Sequence, residues 1–585
     1  MKINKYMDLV DYSRGNKKPS LVLKGARLVM VQSEEIVNAD IAIEDGYIVG
    51  IGSYDGVMNI DCRGKYISPG FIDAHLHFES TMANPDELVH YASLSGTTCF
   101  VADPHEAANV SGLRGVEFII RQTENSTGKV YIMMPSCVPC MDGEDTGKIL
   151  QVEDMKKMLD NDRILGLAEV MDNPAVLTCK ESMMDKMDLF AKKPIDGHAP
   201  GLSDKDLGAY AMAGIMTDHE CVSYDYAIKQ VRNGMYVHIR EGSAARNLEA
   251  IVRGIVENGT SVDRFTFCTD DKHIEDIINE GHISHNIRKA IKLGLEPLKA
   301  YKMATMNPAT CYSLDDMGII SPGRRANLVI LNDLENVDVE SVLYEGEFIG
   351  EDYKPSHKLE TCPSRYANDQ SEETYRGGKS VDSVDDFSDL MDTVHIDWFT
   401  RDMLDYKSQN YAIGLVKDQI LTKKIDLRKA DQSIMDGLNK VLVIERHHNT
   451  GRYHVAKLSG YGIKNGAIAS SVSHDSHNII VVGDNDDDMM LAIEKIKEIH
   501  GGYVLVSQGQ VYGYLPLPYM GLITSLRQEE MVERLSRMIE QAHYLGVKEG
   551  IEPFISLSFI ALPVIGEVRI RTSGLYDVVN DLYLD

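Results

Sequence analysis

Three regimes of hydrophobic patterning follow one another along the chain. From residue 21 to 67, short apolar runs (21–23, 26–31, 36–43 and 47–51) alternate with turn residues, the pattern of a small β unit. The same pattern returns at 326–331 and 339–348, so the two stretches can pair into one domain around an insertion. Between them, apolar runs of strand length at 70–74, 97–102, 129–134, 164–168, 194–197, 214–217, 235–239 and 264–269 alternate with amphipathic helical stretches. That alternation predicts βα units and a parallel sheet, and eight units within about 240 residues suit a (β/α)8 barrel. Beyond a polar stretch rich in Ser, Asp, Glu and Lys, strand-like runs at 414–416, 441–444, 479–482 and 503–506 accompany helical spacing over 489–499 and 529–545. These predict a separate α/β unit. The expected organisation is α/β: a TIM-like barrel (69–309) inserted in a small β-sandwich domain (1–68 and 310–362), a polar linker (363–395) and a C-terminal α/β domain (396–585).

Composition narrows the class of partner. With 60 basic and 89 acidic residues, the net charge of −29 repels phosphate backbones and anionic membrane surfaces, so neither nucleic acid nor a membrane is an expected partner. No window approaches ~18 uninterrupted apolar residues, and 1–20 lacks the apolar core of a signal peptide. Nine scattered cysteines do not form a disulfide framework, which leaves the cytoplasm as the expected location.

Chemistry is concentrated where the eight runs end. In order, the carboxyl ends carry His75 and His77; Asp103, His105 and Glu106; Ser136; Glu169; His198; Asp218, His219 and Glu220; Arg240 and Glu241; Asp270 and Asp271. A barrel gathers these ends on one rim, where its active sites lie. Residues i and i+2 of a strand share a face, so His75 and His77 can grip one metal ion. Four imidazoles and two carboxylates are enough for two metals, and the mixed set suits Fe(II), Mn(II), Zn(II) or Co(II) better than Ca(II). One decoy is His77-Phe78-Glu79 with Cys137-x-x-Cys140, which imitates the signature of another zinc deaminase class. Ser136 stands where that signature has proline, and Pro139 opposes the required helix, so Cys137 and Cys140 read as loop cysteines. The acidic run 484–488 reads as a solvated turn before a helix.

The segment Ser68-Pro69-Gly70-Phe71-Ile72-Asp73-Ala74-His75-Leu76-His77-Phe78-Glu79-Ser80-Thr81-Met82 resembles the first-strand signature of the amidohydrolase superfamily, in its bacterial adenine deaminase branch. Asp103-Pro104-His105-Glu106, Gly166-Leu167-Ala168-Glu169, Asp196-Gly197-His198, Thr217-Asp218-His219-Glu220, Arg240-Glu241-Gly242-Ser243 and Cys268-Thr269-Asp270-Asp271 are similar to the same branch. So is Ser473-His474-Asp475-Ser476-His477-Asn478 in the last domain. The resemblance implies that His75, His77 and Asp270 hold one divalent metal, that His198 and His219 hold a second, and that Glu169 bridges them. Mn(II) or Fe(II) is expected, with Zn(II) as an alternative.

The activity that the resemblance implies is hydrolytic deamination of a purine base, adenine to hypoxanthine and ammonia, with Asp270, His219 and Glu169 in catalytic roles. Asp270 is expected to carry the proton from the nucleophilic hydroxide to the leaving amino group. Glu79, Asp103, His105, Glu106, Glu220, Arg240, Glu241, His474 and His477 are expected to face the substrate. His474 and His477 read either as part of a lid over the site or as a hydrogen-bonded turn. Rival readings are hydrolysis of a cyclic amide or N-acyl group on the same metals, and a non-catalytic scaffold. A homo-oligomer is compatible with the chain.

Overall fold

In the computed structural model, residues 1–584 are described apart from 244, 353–358, 360–386, 406–408, 418 and 420. All eight expected runs form strands: β1 (Phe71–Leu76), β2 (Thr97–Ala102), β3 (Lys129–Met134), β4 (Ile164–Val170), β5 (Ile195–Gly197), β6 (Thr217–Asp218), β7 (Tyr236–Arg240) and β8 (Phe265–Cys268). Strands β1 to β5 form one parallel sheet and β6 to β8 another. The two meet along both seams. Met216 N donates to Ile195 O at 3.0 Å beside β5, and Asp270 N donates to His75 O at 3.0 Å beside β1. Both faces of such a sheet are covered, and so the runs are almost wholly apolar in sequence; every residue of β1 and β2 is buried.

The flanking β segments pair with each other as their patterning suggests. Leu328–Asp333 runs antiparallel to Tyr66–Pro69, joining strands from before and after the barrel in one eight-stranded sheet. Its far edge curls back, with Ile48 N bonded to Arg324 O and Ala326 N to Gly46 O, both at 2.9 Å. The rolled sheet encloses Leu23, Leu28, Ile41, Ile67, Leu328 and Leu343. Helix Ile3–Ser13, which the sequence reading leaves unassigned, sets Leu9 against Val22 and Val49 of this sheet.

The C-terminal unit contains a second eight-stranded sheet, mostly antiparallel, over residues 411–516. Helix Asp486–Glu498 buries Met489, Ile493 and Ile496 against Leu442, Val481 and Val504 on one face. The acidic run, expected as a solvated turn before the helix, instead enters it: Asn485 caps the helix by accepting from Asp488 N, Asp486 and Asp487 occupy its positive first turn, and Asp488 is buried, accepting from Gln508 N and Gly509 N. The other face shares one continuous core with the barrel rim, in which Phe78, Met82 and Met171 join Val472, Tyr503 and Phe559. Thr524 N bonds to Met82 O at 2.8 Å, and Asn478 Nδ2 bonds to Asp145 O at 2.8 Å. The C-terminal unit therefore sits directly on the end of the barrel that carries the histidines. Most of the polar stretch expected as a linker at 363–395 lies outside the described residues; at its far end Phe387 packs edge-on against Phe118, ring centres 5.2 Å apart.

Candidate metal centre

The six residues expected as ligands come together at the carboxyl ends of β1, β4, β5, β6 and β8. His75 Nε2 and His77 Nε2 are 3.1 Å apart, the convergence that the i, i+2 spacing predicts. His77 Nε2 is 3.3 Å from Asp270 Oδ1 and 3.6 Å from Glu169 Oε1. The other oxygen of Glu169 faces His198 Nδ1 at 2.8 Å and His219 Nε2 at 3.3 Å. Glu169 thus reaches toward one pair of histidines with each oxygen. All six are buried.

Whether this set suits a cation is decided by its lone pairs. His77 donates Nδ1–H to the carbonyl of Asp103 at 2.9 Å, which leaves Nε2 turned inward. Burial, together with His219 and His77, holds His75 well below its ordinary pKa, whereas His77, His198 and His219 are raised against burial by the carboxylates of Asp270, Glu169 and Glu220. His198 Nε2 has no hydrogen-bond partner among the described residues. Two further groupings share these atoms: His75, His219 and Asp270, and His77, Asp103, His105 and Glu169, each with ligand atoms within 4.8 Å of one another. Nitrogen and carboxylate donors this close, buried and partly unsatisfied, fit divalent transition metals.

Several supporting residues were not singled out from sequence. Asp73, two positions before His75, accepts from Thr269 N at 3.1 Å and from His75 N at 3.3 Å, tying β1 to the chain just before Asp270. Asp196 repeats the device two positions before His198, accepting from Thr217 Oγ1 at 2.8 Å and Tyr312 OH at 2.9 Å. The recurring Asp-x-His spacing is the signal that could have found them. Asp270 itself has a left-handed backbone, φ 57°, a conformation Asp tolerates better than most residues.

The remaining expected residues divide by place. A cavity of about 60 Å³ beside the ligands is lined by His105, Glu106, Glu220, Arg240, Asp271, His474 and Asp475 and closed by Met171, Phe559, Leu562 and Ile565. Arg240 pairs with both oxygens of Glu220, Nη2 to Oε2 at 3.0 Å, and donates to Asp270 Oδ2 at 2.9 Å. His105 Nδ1 lies 3.4 Å from Asp103 and 3.6 Å from Glu169, and neither Asp103 oxygen has a hydrogen-bond partner among the described residues. Glu79 lines a smaller neighbouring cavity with Asp271 and His474, and accepts from Ala107 N at 2.9 Å. Glu241 lines neither; it is fully buried against Lys289 and accepts from Leu248 N at 3.4 Å. His477 also lies outside both cavities, beside Glu106. Cys137 and Cys140 are buried apolar residues with free thiols.

Residues 66–349 match the amidohydrolase family, and residues 416–581 match the adenine deaminase C-terminal domain. The chain is 46% identical to an adenine deaminase of Desulfitobacterium hafniense, covering 98% of this chain and 97% of that protein. It is 40% identical to one of Clostridium acetobutylicum, covering 98% and 99% respectively. A crystal structure of an adenine deaminase is similar at a TM-score of 0.44 and 18% identity, over 57% of this chain and 99% of that one. The alignments to these two relatives span the barrel and the C-terminal unit alike, and the chain belongs to the adenine deaminases of the amidohydrolase family.

Proposed function

We infer that this protein hydrolyses adenine to hypoxanthine and ammonia. The observation that carries this reading is the buried convergence of four imidazoles and two carboxylates at the rim of a barrel whose full-length relatives are adenine deaminases. In this reading, His75, His77 and Asp270 hold one metal, His198 and His219 a second, and Glu169 bridges them. The donor set suits Fe(II), Mn(II), Zn(II) or Co(II) alike, and the resemblance to the adenine deaminase branch carries the choice of Mn(II) or Fe(II), with Zn(II) as the alternative. When bound, such metals lower the pKa of water toward neutrality and so supply a nucleophile for C6 of the purine.

The chain's own groups manage the protons. Arg240 holds Asp270 Oδ2 and leaves Oδ1 facing the histidines, so the carboxylate stands beside the nucleophile, where it can take a proton and return it to the departing amino nitrogen. Attack at C6 drives charge to N1, which becomes N1–H by taking up the proton that water gives up on becoming hydroxide. Of the four glutamates considered from sequence, Glu220 is best placed to accept from that N–H. It lines the cavity beside His198 and His219 and is held as a carboxylate by Arg240, whereas Glu106 pairs with His474 through one oxygen, Glu79 lies in the neighbouring cavity and Glu241 faces Lys289. A cavity of about 60 Å³ is well below the usual size of a ligand pocket, so the capping residues have to yield for a purine to enter.

No helix among the described residues is long and apolar enough to cross a membrane. A cytoplasmic setting remains part of the reading, and cell fractionation tests it. Incubating the purified, metal-supplemented protein with adenine, adenosine, guanine and a cyclic amide tests the function. Conversion of adenine to hypoxanthine, followed by ultraviolet absorbance, is expected; turnover of the cyclic amide alone would transfer the site to the rival reaction.

A further inference from the structure

Six carboxylates line the cavity, and five of them already have work within the protein. Glu169 faces His198 and His219, Glu220 and Asp270 are held by Arg240, Glu106 pairs with His474, and Asp271 accepts from Ser80. Glu106 keeps one oxygen, Oε2, unpartnered, but Asp475 differs from all five in having no close partner on either oxygen among the described residues. It is 4% exposed, yet its Oδ2 has no hydrogen-bond partner among the described residues. Its Oδ1 is 3.8 Å from His105 Nε2 and 3.9 Å from His474 Nδ1, close enough for attraction between charges and too far for hydrogen bonds. A buried carboxylate oxygen without a donor is costly, unless a ligand brings the donor.

We infer that Asp475 accepts a hydrogen bond from N9–H of the substrate purine and so selects the free base. The inference rests on the proposed adenine activity. Its geometric support is the span from Glu169 to Asp475, which is bridged by a single ring: His105 Nδ1 lies 3.6 Å from Glu169 Oε1, and its Nε2 faces Asp475. A purine laid alongside that imidazole, with C6 at the metal centre, carries its five-membered ring toward Asp475. N9–H is the donor at that end of adenine; in a nucleoside the sugar replaces it. Met171, Phe559, Leu562 and Ile565 supply apolar surface for the purine faces. The carboxylate comes from the C-terminal unit while all six proposed metal ligands come from the barrel, so selection and chemistry would reside in different parts of the chain.

The test uses two adenine analogues of the same shape. The pyrrolopyrimidine analogue keeps the N–H equivalent to N9–H, and the furopyrimidine analogue has oxygen there. Titration calorimetry on the full-length, metal-loaded protein gives a Kd for each without requiring turnover. The native protein is expected to prefer the N–H analogue by about 100-fold, the scale of a hydrogen bond to a buried charge. Asp475→Ala is expected to bring the two within about threefold, and Asp475→Asn, which keeps an accepting oxygen without the charge, to leave about 10-fold. Metal content, measured in parallel, should be unchanged in Asp475→Asn. Equal binding of the two analogues by the native protein overturns the inference, as does an unchanged ratio in Asp475→Ala or, where that variant fails to fold, in Asp475→Asn. Failure to convert adenine would strike the adenine activity instead, and the Kd ratio would still judge Asp475.

Discussion

Two buried clusters of histidine and carboxylate sit within one region of this molecule, and they are chemically different. At the barrel rim, His77 spends its Nδ1 proton on a backbone carbonyl and turns Nε2 inward. In the second cluster, Glu106, His474 and His477 also bring ligand-type atoms within 4.8 Å of one another. There Ser473 N–H donates to His477 Nδ1 at 3.2 Å, so the neutral ring must carry its proton on Nε2. Burial is the main reason that His477 is neutral, its pKa being lowered to about 3. His474 meets Glu106 at 2.8 Å as an ion pair. One cluster turns ring nitrogens and carboxylates toward a common centre, the arrangement proposed to hold cations, and the other surrounds a carboxylate with N–H groups. Residue type does not separate them; the backbone group that each ring meets does.

The sharpest way to break this contrast is to remove metal. Chelation is expected to abolish deamination, with recovery on adding Mn(II) or Fe(II), and to leave the Glu106–His474 pair in place. Adenine turnover that survives in metal-free protein, checked by elemental analysis, would end the assignment of the first cluster. Next in size is Asp270→Asn, for which a fall of about 10³-fold in kcat is expected with most of the metal retained. Near-normal turnover in that variant refutes the proton role.

Glu106→Gln addresses the other side of the contrast. Breaking a buried ion pair from one side is expected to cost about 3 kcal/mol of stability with metal content unchanged, read from denaturant unfolding and elemental analysis. A loss of metal instead would make Glu106 a ligand.

The pH dependence of stability carries a sign. Burial opposes a charged His474, but Glu106 outweighs it and raises the imidazole to about 9. A raised pKa stabilises the fold fully below the unfolded value near 6.5, and the benefit is lost as pH climbs through about 9. Glu106 is lowered despite burial, chiefly by His474, so its share is present above the ordinary carboxylate value near 4.5 and disappears as pH falls toward its folded value. Melting temperature of the native protein should therefore drop between pH 6.5 and 9 more steeply than that of Glu106→Gln. Parallel profiles would remove the pair as the cause. The smallest effect is expected from His477→Ala, under about threefold in kcat/KM. His477 lies behind the cavity wall, whereas His474 lines the cavity and stacks on Phe559 at 4.5 Å.

Much of the fold was legible because its signals are local. Eight apolar runs of strand length, separated by helical periodicity, are written in consecutive residues, and each appears as a strand within a few positions of its expected place. The convergence of the six proposed ligands was legible for the same reason: His75 and His77 share a face by spacing alone, and each later candidate comes after a recognisable run. Helix Ile3–Ser13 was missed because only Leu9 is buried, against strands that lie elsewhere in the sequence. Glu241 carries the same chemical label as Glu220 and sits at the next strand end, but Lys289, 48 residues on, claims it.

By itself the sequence determined the kind of chemistry this protein carries: a barrel, a rim of imidazoles and carboxylates, and membership among deaminases. Tertiary structure alone decided how each of those groups is used. A ring nitrogen becomes ligand or donor according to the backbone N–H or carbonyl placed against it, and a carboxylate is free or spent according to which cation folds beside it. Such partners come from hundreds of residues away, as Asp475 comes to His105, and no local pattern encodes their meeting.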